Sequence, residues 1–143
     1  MERILVPITE KQEAWEAFSR ACSLVRRIDA RLYVLLVLTP SDKRNSRSEL
    51  EQSKTVRTRL ELLLETAKAE GVKIEYFITE GSYEEEVIGF VRENRISLLV
   101  LEQNDGEIGP DPAALMAIRH RIACRVELVA PKKNTFNPEE RNS

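Results

Sequence analysis

Histidine occurs once and cysteine twice in this chain of 143 residues. That scarcity excludes the clustered His/Cys ligand sets of zinc sites and leaves no thiol pair at redox-motif spacing. Cys22 and Cys124 lie among apolar neighbours in helix-like text, and both are expected to be buried, reduced thiols. His120, between Arg119 and Arg121, has no evident partner for general acid–base work, so a surface position is expected. A G-x-S-x-G nucleophile elbow and a Walker motif are absent too. "EGSYE" (residues 80–84) reads as a turn and helix cap rather than a nucleophile. No residue is assigned a catalytic role.

Long apolar runs are also lacking. None approaches the roughly 18 residues that cross a bilayer, so no membrane insertion is expected. "MERILVPITE" enters strand-like text at once and has no secretory pattern, so a cytoplasmic location is expected. Nor is there excess charge of one sign. The 22 basic and 24 acidic residues leave a net charge of −2, which argues against nucleic acid as a partner. Lys43, Arg44 and Arg47 form a basic cluster too small for more than weak, salt-sensitive attraction.

What is present is an ordinary globular balance, 42% apolar and 32% charged, in a length suited to one domain. Short apolar runs at 2–7, 31–38, 97–101 and 125–130 predict strands. "RLYVLLVL" (31–38) is nearly continuous, as a strand covered on both faces requires. "VKIEYFIT" (72–79) alternates, which predicts a strand nearer an edge. Between them lie helical patterns. Residues 11–29 carry an apolar face of Ala14, Trp15, Phe18, Ala21, Cys22, Val25 and Ile28. Residues 48–70 repeat Leu50, Val56, Leu60, Leu63, Leu64 and Ala67 and end at Gly71. A helix over 83–94 buries Val87, Ile88 and Val91, with Ser82 as cap and Glu85 as its capping-box partner. The last starts at Pro112, capped by Asp111, and buries Leu115, Ile118 and Ile122. Strict alternation of strand and helix predicts a parallel sheet wrapped on both faces by right-handed crossovers. Residues 1–131 form the predicted domain, and residues 132–143 a polar, mobile tail.

In such sheets a ligand sits beyond the strand carboxyl ends, where the winding reverses. The text there is "LLVLEQNDGEIGPDP" (98–112). A phosphate cradle needs inward-facing amides and glycines that admit close approach. This loop instead offers Glu102, Asp105, Glu107 and Asp111 without one basic residue, and it lacks calcium-loop spacing. It is read as a solvated acidic loop, with no metal expected.

The text resembles the universal stress protein family over about residues 2–131. "RILVPITEKQEAWEAFSRACSLVRRIDARLYVLLVLTP" is similar to the family's opening strand, first helix and second strand. "EGSYEEEVIGFVRENRISLLVLE" is similar to its third helix and fourth strand, and "RIACRVELVAP" to its closing strand. The resemblance implies one three-layer α/β domain with a five-stranded parallel sheet of order 3-2-1-4-5 and four helices. This is the adenine-nucleotide α-hydrolase-like architecture. It also implies a homodimer, often paired through the last strand, here Val126, Glu127, Leu128 and Val129.

Many members bind ATP, and the resemblance permits a position-by-position reading. Thr9 stands where an aspartate follows the first strand. Glu102 and Asp105 replace the two glycines after the fourth strand, with Gln103 between them. Pro112 and Ala113 fall nearest the Gly-Ser pair that opens the last helix. Gly106 and Gly109 have the right gap but lie too far along. Val37 occupies the adenine-contact position and suits a core equally. The expected crevice is therefore degenerate, lined by Thr9, Glu10, Glu102, Gln103, Asn104 and Asp105. A carboxylate there opposes triphosphate by about 3 kcal/mol per charge pair at ~5 Å and an effective dielectric near 20.

The expectation is a non-enzymatic regulatory or stress-response domain, acting through a protein partner and holding no cofactor. ATP is the runner-up cofactor. Two alternatives remain at this point: a nucleotide-binding member, a sensor or slow ATPase, with altered contacts, and a sensor of a small polar or cationic ligand.

Overall fold

A computed structural model describes residues 1–10, 14–38, 47–103 and 112–130. Asn104, Asp105, Gly106, Glu107, Gly109, Asp111, Lys43, Arg44 and the tail lie outside the described residues, with the expectations placed on them. The elements are β1 (Glu2–Thr9), α1 (Trp15–Arg27), β2 (Ala30–Leu38), α2 (Arg47–Ala69), β3 (Ile74–Glu80), α3 (Tyr83–Glu93), β4 (Leu98–Glu102), α4 (Pro112–Arg121) and β5 (Arg125–Val129). The five strands form one sheet in the order β3-β2-β1-β4-β5, and every pairing is parallel. This is the expected topology. None of the described helices is long and apolar enough to cross a membrane.

Strand alternation sorts the core into two layers. Ile4, Val6 and Ile8 of β1 join Leu32, Val34 and Leu36 of β2 against Phe18, Ala21 and Cys22 of α1 and Val56, Leu60 and Leu64 of α2. Leu5, Tyr33, Leu35 and Val37 face the other way, toward Val87, Ile88 and Val91 of α3 and Ile118 of α4. β1 and β2 are buried along almost their whole length, as their unbroken apolar text requires. β3 lies at one edge beside β2, and its half-exposed pattern matches its alternation.

Helix ends explain most boundary differences. α1 stops before Ile28, whose extended backbone (φ −127°, ψ 163°) leads directly into β2. Ile28 is therefore 43% exposed and is not part of the buried stripe. α2 ends in a Schellman arrangement. Val72 N–H reaches Ala67 O at 3.1 Å, and Gly71 N–H reaches Lys68 O at 3.0 Å. That geometry puts Gly71 at φ +92° and delays β3 to Ile74. The expected capping box at α3 is only half made. Ser82 Oγ accepts from Glu85 N–H at 3.5 Å, but the Glu85 carboxylate turns to Arg121 Nη1 at 2.5 Å. It ties α3 to the last turn of α4 instead of closing back on its own helix. Cys22 is buried in α1, whereas Cys124 is half-buried and lies between α4 and β5, outside any helix. Burial pushes the Cys22 thiol up to about 11, so it stays protonated at neutral pH. His120 is exposed in the last turn of α4, Ile118 is buried, and Leu115 and Ile122 are half-buried.

Two outcomes follow from these ends. Gly71→Ala places a β-carbon in open space but in a left-handed conformation. Urea unfolding is expected to show a loss of about 1–2 kcal/mol. The hydrogen bond from Arg121 holds the Glu85 carboxyl below its usual range. This depressed value means the pair stabilises above the ordinary glutamate pKa, and the contribution fades as pH falls through the folded value. An NMR titration is expected to show Glu85 returning toward the ordinary value in Arg121→Met.

Candidate functional site

A crevice opens where two neighbouring strands part, and a proline accounts for the parting. Arg3 N–H donates to Ser97 Oγ at 2.9 Å, and Arg3 O accepts from Ser97 N–H at 2.8 Å, so Arg3 directs its backbone groups toward β4. Alternate residues of a strand share a side, so Leu5 and Pro7 face β4 as well. Pro7 has no N–H to give. The β1–β4 ladder accordingly holds Ile4↔Leu98 and Leu5↔Leu99 and goes no further. On the other side β1 stays in register with β2 from Glu2↔Ala30 to Thr9↔Val37. The gap thus falls at the carboxyl ends of β1 and β4, where the winding of the sheet reverses.

Glu102, the last residue of β4, fills that gap. Its Oε1 accepts from the N–H groups of Glu16 and Ala17 at 2.9 and 3.0 Å. These are the second and third residues of α1, the amides that an N-cap side chain ordinarily takes. The residue at the cap position is Ala14, which has no side-chain acceptor. A carboxylate from more than eighty positions away therefore caps α1 and sits on the positive end of its dipole. The next residue continues the tie: Gln103 N–H donates to Val129 O of β5 at 2.7 Å.

Around this contact, Thr9 and Glu10 are almost closed off, 8% and 7% exposed. Trp15 opens α1 and packs against the first core layer, with the Arg59 guanidinium of α2 5.4 Å from its ring centroid. Val37 is fully buried among Leu35, Val87 and Leu101 and presents no surface at the crevice. Gln103 and Ala113 are exposed, and Pro112 begins α4. The structure therefore brings Thr9, Glu10, Glu102 and Gln103 to one end of the sheet, while Asn104 and Asp105 lie outside the described residues. Among the described residues, no three His, Cys, Asp or Glu side chains gather as a metal ion requires.

The expected strand-to-strand surface is β5. Among the described residues it pairs with β4 alone and so forms the second edge of the sheet. Leu128 is 39% exposed, and Val126 and Val129 are half-buried. Glu127 is engaged within the chain, accepting from Arg20 Nε of α1 at 2.6 Å.

Glu102, expected as a charged obstacle in the crevice, is also the cap of α1. The signal was available in "KQEAWEA", a helix start with no Ser, Thr, Asp or Asn at its cap. A helix start without a local acceptor must find one elsewhere.

The family model described as the universal stress protein family matches residues 1–108. No curated protein matched the chain. Among solved structures, universal stress protein UspA from Lactobacillus plantarum is similar at TM-score 0.70 and 17% identity, covering 90% of this chain and 97% of that one. A universal stress protein from Archaeoglobus fulgidus in complex with dAMP is similar at TM-score 0.63 and 16% identity, covering 90% and 98%. A universal stress protein family protein from Arabidopsis thaliana with AMP bound is similar at TM-score 0.61 and 15% identity, covering 97% and 99%. At these identities the likeness carries the fold alone.

Removing the Glu102 carboxylate strips α1 of its cap. Glu102→Ala is expected to lower unfolding stability by about 1–2 kcal/mol. Glu102→Gln keeps an acceptor but loses the charge facing the helix dipole, so a loss of only about 0.5 kcal/mol is expected. Chemical denaturation of both variants measures the ordering.

Proposed function

Because the chain belongs to the universal stress protein family, we propose that it is a member that has exchanged nucleotide binding for an internal brace. In this reading it is non-enzymatic, works as a homodimer and acts through contacts with another protein. The observation that carries the reading is the Glu102 carboxylate on the amides of Glu16 and Ala17. Where ATP-binding members keep a glycine, this chain places an acid already committed to two donors. An incoming triphosphate meets that charge at a cost of about 3 kcal/mol per pair at ~5 Å and an effective dielectric near 20. The fully buried Val37 supports the same reading, since it offers adenine no surface.

A second reading rests on similar proteins that hold a nucleotide, dAMP in one and AMP in the other. A monophosphate carries less charge than a triphosphate and meets less repulsion. Under this reading the chain is a nucleotide sensor with altered contacts.

Calorimetric titration with ATP plus Mg²⁺, and separately with AMP, tests both readings. The brace predicts no ATP binding tighter than a dissociation constant of about 10 μM. Tighter ATP binding overturns it, and tight AMP binding alone selects the second reading. For the dimer, β5 supplies an edge that needs cover, and a two-fold copy provides it. Sedimentation at about 50 μM is expected to give twice the chain mass of 16.4 kDa. Leu128→Lys is expected to shift the protein toward monomer.

A further inference from the structure

The opposite edge of the sheet has its own unclaimed surface. α3 packs mainly over β1 and β2 and reaches β3 on that face through Phe90 and Glu86. Phe77 of β3 is 38% exposed there. It is held in an aromatic trio, 6.4 Å from the Tyr33 ring and 5.2 Å from the Phe90 ring. Beyond Phe77, toward the strand end, lies a depression of about 210 Å³. Thr79, Gly89 and Phe90 line it, and Glu85, Glu86 and Glu93 contribute its carboxylates.

Gly89 is the informative residue. It sits in the middle of α3, where glycine costs helix stability relative to alanine. No packing requires it, since a β-carbon built there meets nothing within 4 Å. Its missing side chain leaves a smooth stretch of helix along the wall of the depression. Glu86 is turned toward β3, accepting from the Thr79 hydroxyl, and lies over Gly81, where a β-carbon would come within 2.8 Å of its Oε2. A neutral hydroxyl leaves the Glu86 charge in place. Arg121 pairs with Glu85, and Arg92, which donates to the Arg121 carbonyl, also acts on Glu85, so Glu86 and Glu93 are the carboxylates without a cation paired to them among the described residues.

We propose that β3 and this depression form a docking site for an extended peptide of another protein, which adds to the sheet edge and places a Lys or Arg side chain among the carboxylates. The outer edge of β3 has no partner strand among the described residues, so its backbone groups are available for strand addition. Phe77 and Thr79 are two apart and share a face, so the recognised text is an apolar residue and a cation two positions apart. Charge complementarity selects the cation, and the aromatic trio supplies the apolar contact.

The test uses the full chain and fluorescent peptides of alternating Thr and Val, carrying Leu and Arg two positions apart in either order. The controls carry Glu in place of Arg. Anisotropy is expected to show one Arg peptide binding at least about 10-fold more tightly than its Glu control at low salt. Gly89→Ala is expected to raise Tm by about 3 °C, yet weaken that peptide at least about 5-fold by placing a methyl on the wall that the cationic side chain lies against. A glycine without a binding role gives the first effect and not the second. Equal binding of Arg and Glu peptides overturns the proposal, as does an affinity unchanged in Gly89→Ala. Sedimentation showing self-association that Phe77→Lys abolishes and Leu128→Lys does not overturns it too, assigning β3 to a second copy. None of these outcomes depends on nucleotide binding.

Discussion

Two backbone amides at the start of α1 have no acceptor of their own, and the organisation of this crevice follows from how they are satisfied. Glu102 reaches them from the end of β4. The reach is possible because Pro7 stops the β1–β4 ladder early and leaves room between the strands. One missing N–H therefore opens the crevice, and one carboxylate closes it. A helix end, a strand end and the winding reversal of the sheet are joined in a single contact. A charge-assisted hydrogen bond of this kind is about twice as strong as a neutral one.

That contact also occupies donors at the winding reversal of the sheet. Helix N-termini and glycine-rich turns bind phosphate because their amides are free and their dipole is positive. Here the amides of Glu16 and Ala17 are occupied by a carboxylate. A fold of this kind does not by itself fix the chemistry of its crevice, which depends on the side chains placed there. Further ties link the same elements: Gln103 to Val129, and Arg20 to Glu127. Together with the Glu102 cap they connect α1, β4 and β5 at the carboxyl end of the sheet.

The two sheet edges are handled differently. β5 is short and has its one acidic side chain, Glu127, paired to α1, while Leu128 remains exposed. β3 is longer and carries Phe77 and Ile78 at 38% and 43% exposure, on opposite faces. Edges of either kind invite pairing, and acidic residues around β3 bias which partners are admitted.

Element order, parallel pairing and the edge position of β3 were all legible from the sequence. Apolar periodicity reports which faces must leave water, and an unbroken run such as "RLYVLLVL" has few folds that satisfy it. Gly71 marked the end of α2 because only glycine readily adopts the left-handed turn there. The substitutions at Glu102 and Pro112 were legible as departures from the family text, and so was the acidity of the loop. Other features were settled only by tertiary structure. The Glu85 carboxylate preferred Arg121 of another helix to its own cap, and Ile28 left its helical stripe to enter β2. Glu102 found α1 rather than solvent. Periodicity records burial along one segment, whereas a hydrogen-bond partner depends on which distant segments arrive at the same place, and that is decided when the sheet assembles.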